Sequence, residues 1–383
     1  MSFFRSRWVS RPAGVEELDP AVLAPGFRAA GIGCGLKGGG STDLGLLRCD
    51  AEAVRSALLL TRNAAAAAPV RLCRERCDPQ RLRGSVVNSG NANAATGEAG
   101  YRDARTLQEA AAEALALEPR QVAVAETGVI GVPLPIASLS AGIAEAALGL
   151  SERGGDLFAE AIMTTDRSPK HCTVAAGGVT VSAQAKGAGM IQPGFATMLC
   201  FVQTDSELPD PHLALRDAVA GSFERITVDG QMSTNDTVLL QATGASGQPL
   251  PAGLLDAVLL QLALDIVADG EGATRVARVS VSGAASADEA ERVARAVANS
   301  PLVKAALFGR DANWGRIAQA AGMALAGEHL GDLGETEIDA SELASEAAEV
   351  ELSVSLGRGA AGAHVYFCDL THDYVRLNAE YTT

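Results

Sequence analysis

The chain has 383 residues, 48% of them hydrophobic and only 4% aromatic, enough to bury a sizeable core divided over two or three lobes. Lys plus Arg number 31 against 46 Asp plus Glu, a formal charge of −15, so the field around the protein repels a phosphate backbone and nucleic acid is excluded as a partner. No apolar run reaches the roughly 18 residues of a membrane span, and the opening stretch, with Arg5, Arg7 and Arg11 among aromatics, has no apolar centre of the kind a secretory signal needs.

In chain order, the first landmark is a glycine cluster at 31–40. It holds Gly33-Cys-Gly-Leu-Lys-Gly38, a formal match to the dinucleotide-binding pattern. Gly-Gly-Ser-Thr-Asp-Leu follows, which does not open a helix able to hold a pyrophosphate, so a glycine-rich loop is expected. The alanine run 64–68 reads as a tight turn or a helix edge. A strand over 85–87 leads into Asn88-Ser-Gly-Asn-Ala-Asn-Ala-Ala-Thr-Gly97, where small residues let backbone N–H groups approach a ligand and asparagines equally let the loop bond to itself. Apolar residues at helical spacing over 102–117 predict a helix, and a strand follows over 122–125. It ends in Glu126-Thr-Gly-Val-Ile-Gly131, where a hydroxyl and a backbone N–H can aim at one point, as an oxyanion hole requires.

Alternating residues predict a strand over 174–182 and another over 198–202. Between them runs Lys186-Gly-Ala-Gly-Met-Ile-Gln-Pro-Gly-Phe-Ala-Thr197. A small residue, then Thr, at the start of a strand suits a self-cleaving N-terminal nucleophile: the Thr197 hydroxyl can attack the Ala196 carbonyl. Cleavage frees an amine with a pKa of about 7.7–8.0, so roughly 10–30% of it is neutral between about pH 7 and 7.5 and can draw the proton from its own hydroxyl. An ordinary strand after a Gly/Pro loop fits the same residues. Further on, Asp229–Thr237 is a polar cluster before a strand over 238–242. A helix is expected over 254–267, a strand over 277–281, and a helix over 287–297 entered by Ser286 as a cap. Gly309-Arg-Asp-Ala-Asn-Trp-Gly-Arg316 reads as an anion-recognising pair of guanidiniums or as a structural Arg–Asp knot before a helix over 317–324, and a strand is expected over 350–354. Helices and strands mixed along the whole length predict an α/β fold of mixed α+β layers. Seven cysteines, an odd number, fit free thiols in a reducing cytoplasm. The Cys73/Cys77 pair and the scattered histidines lack metal-ligand spacing, so no metal is expected.

Taken together, NSGNANAATG, ETGVIG, IMTTDRSPK, KGAGMIQPGFATML, TVDGQMSTNDT, DGEGAT, VKAALFGRDANWGRI and RLNAEYTT occur in an order that resembles the glutamate/ornithine N-acetyltransferase family, the self-cleaving enzymes of arginine biosynthesis. The resemblance implies a two-lobed fold related in architecture to N-terminal-nucleophile enzymes, without a metal or organic cofactor. It implies cleavage between Ala196 and Thr197, giving an α chain of residues 1–196 (N-terminal lobe) and a β chain of residues 197–383 (C-terminal lobe), assembled as α2β2 in the cytoplasm. Thr197 is then the nucleophile, Thr127 and Gly128 the oxyanion donors, and Thr164, Lys186, Thr197, Glu271, Asn378 and Thr383 the substrate-binding residues. The implied reaction moves an acetyl group from N-acetylornithine to glutamate, and some members also take it from acetyl-CoA. An N-terminal-threonine amidase or aminopeptidase with water as acceptor would use the same nucleophile. Three departures from the family pattern bear on substrate choice: Glu126 where Ser is usual, the Gln231-Met232 pair, and Arg275 where Lys is usual.

Overall fold

The computed structural model describes residues 2–192, 198–328, 330, 333–334 and 336–380. The expected residues Ala196, Thr197 and Thr383 lie outside these.

Three sheets organise the described residues. The largest has the spatial order Glu16–Leu18, Lys170–Ala176, Val179–Lys186, Leu199–Thr204, Thr237–Ala242, Arg55–Leu60. Residues alternate between its faces. Cys200, Val202, Val238 and Leu240 point into one core, and Leu199, Phe201 and Leu239 into a second. Burial on both faces explains why these strands read as nearly continuous apolar runs. The first core is closed by the helices Pro211–Gly221 and Leu254–Ala268. The second is shared with a four-stranded sheet, Phe27–Ile32, Leu44–Cys49, Gly84–Asn91, Val122–Val129, and includes Phe158 packed edge-on against Phe201 at 5.2 Å.

The helix Leu254–Ala268 is apolar around nearly its whole circumference because it lies between sheets, touching both Lys170–Ala176 and Ala361–Cys368. The strand Ala361–Cys368 belongs to a five-stranded sheet with Ile226–Thr227, Val276–Ala284, Glu349–Ser355 and Ile338–Asp339, which carries a third core beneath the helices Ala287–Ala298, Pro301–Gly309 and Trp314–Ala324. The Ser286 hydroxyl caps Ala287–Ala298 by accepting from the Glu289 N–H at 3.1 Å, as its sequence predicts.

One strand reading is corrected. The stretch expected as a single strand over 174–182 is a hairpin, Lys170–Ala176 and Val179–Lys186. Its two turn residues, Gly177 and Gly178, both have positive φ (58° and 79°), the conformation that matches the twist of a tight hairpin.

The order of the largest sheet also interleaves the chain. Leu199–Thr204 and Thr237–Ala242, which follow Thr197 in sequence, sit between Val179–Lys186 and Arg55–Leu60, which precede it.

Candidate active site

The site forms where the ends of two sheets meet. Lys186 closes its strand directly opposite Leu199, two residues beyond Thr197, and Thr127 nears the end of Val122–Val129 in the four-stranded sheet. The Lys186 ammonium, 2% exposed, donates to Thr127 Oγ1 at 3.1 Å and so ties the sheets together. Burial pushes the Lys186 pKa down, and the Asp166 carboxylate opposes that shift. With its oxygen accepting from a cation, the Thr127 hydroxyl keeps its own hydrogen for another acceptor. Gly128 follows at φ 131°, a conformation that suits glycine, and a Cβ there would meet the Gly90 carbonyl carbon at 2.3 Å.

Glu271 sits beyond the end of Leu254–Ala268. Its carboxylate accepts from Thr165 Oγ1 and from Asn378 Nδ2, each at 2.8 Å, and its N–H donates to the Ala188 carbonyl at 2.9 Å. Asn378 lies on the C-terminal helix His372–Glu380, which this contact fastens over the site. Together Thr127, Gly128, Thr164, Lys186, Glu271 and Asn378 line one cavity of about 150 Å³. Every described residue assigned to the site by the resemblance is therefore in the same place.

Five other lining residues, Thr165, Gly189, Met190, Asp229 and Tyr374, have no role assigned from the sequence, and Gln231, one of the departures, lines the cavity with them. Asp229 accepts from the backbone N–H groups of Met190 (2.6 Å), Ile191 (2.9 Å) and Gln231 (3.1 Å), which anchors the loop leading toward Thr197. Burial raises its pKa even so. Tyr374 is pushed up to about 12, mainly by burial and then by the Asp229 and Glu271 carboxylates. A Cβ on Gly189 would lie 2.6 Å from the Glu271 carboxyl, so a side chain there would displace that carboxylate from its present position. The polar Asp229–Thr237 cluster was the available signal for Asp229 and Gln231. Tyr374 and Thr165 carry no pattern that would mark them. A wider cleft of about 630 Å³, beside Arg55 and His212, receives none of the candidate residues.

The departures resolve by direction. Glu126 and Thr127 are successive strand residues and face opposite ways. Glu126 is fully buried on the side of Cys73 and Asp103, and among the described residues only the Asn93 amide approaches its carboxyl, without a well-formed hydrogen bond. Burial raises its pKa well above the usual value, outweighing the nearby Asn93 amide. The folded-state pKa thus exceeds the unfolded value of about 4.3. The associated stability is full below that value and is lost as pH rises through the folded-state pKa. Thermal melts of Glu126→Gln across pH should therefore show a shallower decline toward alkaline pH than the parent; parallel profiles would refute a titrating Glu126. Arg275 is a structural clamp, donating to the carbonyls of Ala347, Leu307, Leu343 and Ser345 at 2.8–3.0 Å. Of the third departure, Gln231 lines the cavity, whereas the Met232 carbonyl accepts from Asn63 Nδ2 at 2.9 Å.

The remaining motifs serve the fold. The N–H groups of Cys34, Leu36 and Lys37 converge on the Asp43 carboxylate at 2.6–3.0 Å, which fills the glycine loop with the protein's own anion. In the asparagine loop, Asn88 Nδ2 donates to Asn91 O, Asn91 Oδ1 accepts from Asn93 N–H, and Asn93 Nδ2 donates to Gly100 O, which is the self-bonded alternative. Arg310 pairs with Glu346 and Arg316 donates to the Leu302 carbonyl, away from the cavity. All seven cysteines are free.

The family model and the sequence relatives match this chain over nearly its whole length. The ArgJ family model matches residues 28–383. The arginine biosynthesis bifunctional protein ArgJ of Symbiobacterium thermophilum is 45% identical, covering 96% of this chain and 100% of that protein; its counterpart in Thermus thermophilus is 44% identical, over 95% and 100%. A crystal structure of ornithine acetyltransferase complexed with ornithine from Mycobacterium tuberculosis is 38% identical, covering 47% of this chain and 98% of that one, with a TM-score of 0.43. On the match along residues 28–383 and these identities, the chain belongs to the ArgJ family.

Proposed function

We propose that this member of the ArgJ family cuts its own chain between Ala196 and Thr197 and then moves an acetyl group from N-acetylornithine to glutamate through an acetyl-threonine at Thr197. The observation that carries this reading is the convergence of Thr127, Gly128, Thr164, Lys186, Glu271 and Asn378 on one cavity, at the end of the strand that pairs with Leu199.

In the processing step the Thr197 hydroxyl oxygen attacks the Ala196 carbonyl carbon, the peptide C–N bond breaks, and water hydrolyses the resulting ester. Residues 1–196 then end in a carboxylate and residues 197–383 begin with a free amine. In the transfer step that amine accepts the hydroxyl proton while the oxygen attacks the acetyl carbonyl of N-acetylornithine. Negative charge collects on the carbonyl oxygen, where the Thr127 hydroxyl and the Gly128 N–H are the donors. Collapse breaks the C–N bond, the α-amine of ornithine leaves with the proton, and the acetyl group remains as an ester. The neutral α-amine of glutamate attacks that ester to give N-acetylglutamate and restore the hydroxyl.

Recognition divides by charge. Lys186 offers a cation to a substrate carboxylate, which the net charge of −15 otherwise repels. Glu271 offers an anion to the side-chain ammonium of ornithine. Closure by the C-terminal helix keeps water from the ester and favours glutamate as acceptor. Since the curated relatives bear the name bifunctional, we extend the proposal to acetyl-CoA as a second donor to the same hydroxyl. Placement in the cytoplasm and assembly of the fragments as α2β2 belong to the same proposal; among the described residues no helix is long and apolar enough to cross a membrane.

The test combines intact mass with acceptor kinetics. Purified protein should give two fragments, the second beginning at Thr197, and ornithine release from N-acetylornithine should depend on glutamate. Acetate release at the same rate without glutamate would identify an amidase instead.

A further inference from the structure

Beneath the cavity lies a buried ionic cluster that the reaction scheme does not use. Asp166, whose side chain has no exposure, receives three hydrogen bonds. Its Oδ1 accepts from Lys170 Nζ and from the Gly187 N–H, each at 2.7 Å, and its Oδ2 accepts from the Thr164 N–H at 3.0 Å. Lys170, equally buried, bridges onward to Asp269 at 2.5 Å, and Asp269 also takes Arg167 Nε at 2.7 Å and the Arg167 N–H at 2.9 Å. Asp269 stands two residues before Glu271, and Gly187 directly follows Lys186. The Asp166 carboxylate therefore holds the backbone N–H groups at Thr164 and beside Lys186 directly, and reaches the segment of Glu271 through the Lys170 ammonium and the Asp269 carboxylate.

We propose that Asp166 is the positioning residue of this site: it sets the register of Thr164, Lys186 and Glu271 and holds Lys186 in its charged form. This rests on the reading of those three residues as the substrate-recognising groups. The anchoring follows from geometry. A residue at 166 with a shorter or uncharged side chain leaves the Gly187 N–H, the Thr164 N–H and the Lys170 ammonium to compete for fewer acceptors around a buried position. The charge effect follows from what surrounds Lys186. Asp166, Asp236 and Glu271 favour its protonated state, while Lys170 and burial oppose it, and Thr127 offers only a neutral oxygen. Asp166 is the first of the carboxylates in this balance. It is ionised throughout the working range, because Lys170 and then Lys186 overcome the burial penalty and hold its pKa at about 2; Lys37 and Asp269 complete its ionic surroundings.

The experiment is a pH profile of kcat/KM for N-acetylornithine with the processed full-length protein, comparing the parent, Asp166→Asn, Asp166→Glu and Lys186→Ala. For Asp166→Asn we expect KM to rise about tenfold with kcat changed less, and the alkaline limb to move down by about one pH unit as Lys186 loses its proton earlier. The KM defect should shrink at lower pH, where Lys186 is charged again. Asp166→Glu keeps the charge but displaces it by one methylene, so its limb should stay in place while KM rises. Lys186→Ala separates the two levels of inference. If it leaves KM unchanged, the reading of Lys186 as a recognition group fails. If it raises KM while Asp166→Asn changes neither KM nor the limb, the proposal for Asp166 is overturned. Should the Asn protein not fold, an Asp166→Glu enzyme with parental KM overturns the register role, and one with a shifted limb overturns the charge role.

Discussion

A Thr197→Ala protein is expected to migrate as one uncut chain of 383 residues and to transfer no acetyl group. Both losses come from one oxygen atom. In the proposed scheme the hydroxyl attacks the Ala196 carbonyl, and without scission the amine that would serve as its base remains tied up in a peptide bond. Thr197→Ser is the matching control, since it keeps the hydroxyl while removing only a methyl group; it should cut and retain activity at a reduced rate. The flanking structure should survive both changes. Met198 is held by its own contacts, its N–H donating to Asp236 Oδ1 at 3.1 Å and its carbonyl accepting from the Thr237 N–H at 3.2 Å. Electrophoresis, intact mass and N-terminal sequencing supply the readout. A Thr197→Ala chain that still splits at this bond would remove the hydroxyl from the processing step.

The second large effect is expected at Thr127. In processed Thr127→Ala enzyme kcat should fall about 10²–10³-fold, a loss of about 2.7–4 kcal/mol, with KM for N-acetylornithine little changed. The reason is timing: full negative charge on the acetyl oxygen exists only near the tetrahedral intermediate, so a donor aimed there contributes to kcat rather than to ground-state binding. Lys186 strengthens the donor, because a hydroxyl whose oxygen already accepts from an ammonium at 3.1 Å is a better donor of its own hydrogen. Thr127→Ser should recover most of the rate. Steady-state kinetics decide the matter. A rise in KM with unchanged kcat would make Thr127 a substrate contact instead of an oxyanion donor.

Much of the fold could be read from residue patterns, and the exceptions have physical causes. Strands such as Thr237–Ala242 and Glu349–Ser355 carry β-branched or alternating residues and stand out. Phe27–Ile32 and Leu44–Cys49 do not, because FRAAGI and LGLLRC have little β propensity and are kept extended by pairing on both sides of Leu44–Cys49. The helix Gly97–Leu115 begins five residues before the predicted start at Arg102, since its first turn contains two glycines and Thr96 provides no side-chain cap. At the site, motif resemblance singled out six residues, Thr127, Gly128, Thr164, Lys186, Glu271 and Asn378, that line one cavity. The orientation of Glu126 was also within reach, because neighbours on a strand face apart. The convergence on Asp166 was not: its partners at 164, 170 and 187 share no period, and the folded hairpin is what brings Lys170 and Gly187 to the same carboxylate as Thr164.

The interleaving of the largest sheet has a consequence for a chain severed between residues 196 and 197. The two pieces would be woven together by ladders on either side of the central strands, so that neither could leave as a folded body. Before the cut, that sheet assembles within one molecule, and its formation is independent of how dilute the solution is. Afterwards the same sheet is a complex of two polypeptides, and regaining it from denaturant is a second-order encounter that slows with dilution. Scission would thus leave the native architecture in place while making its unfolding hard to reverse.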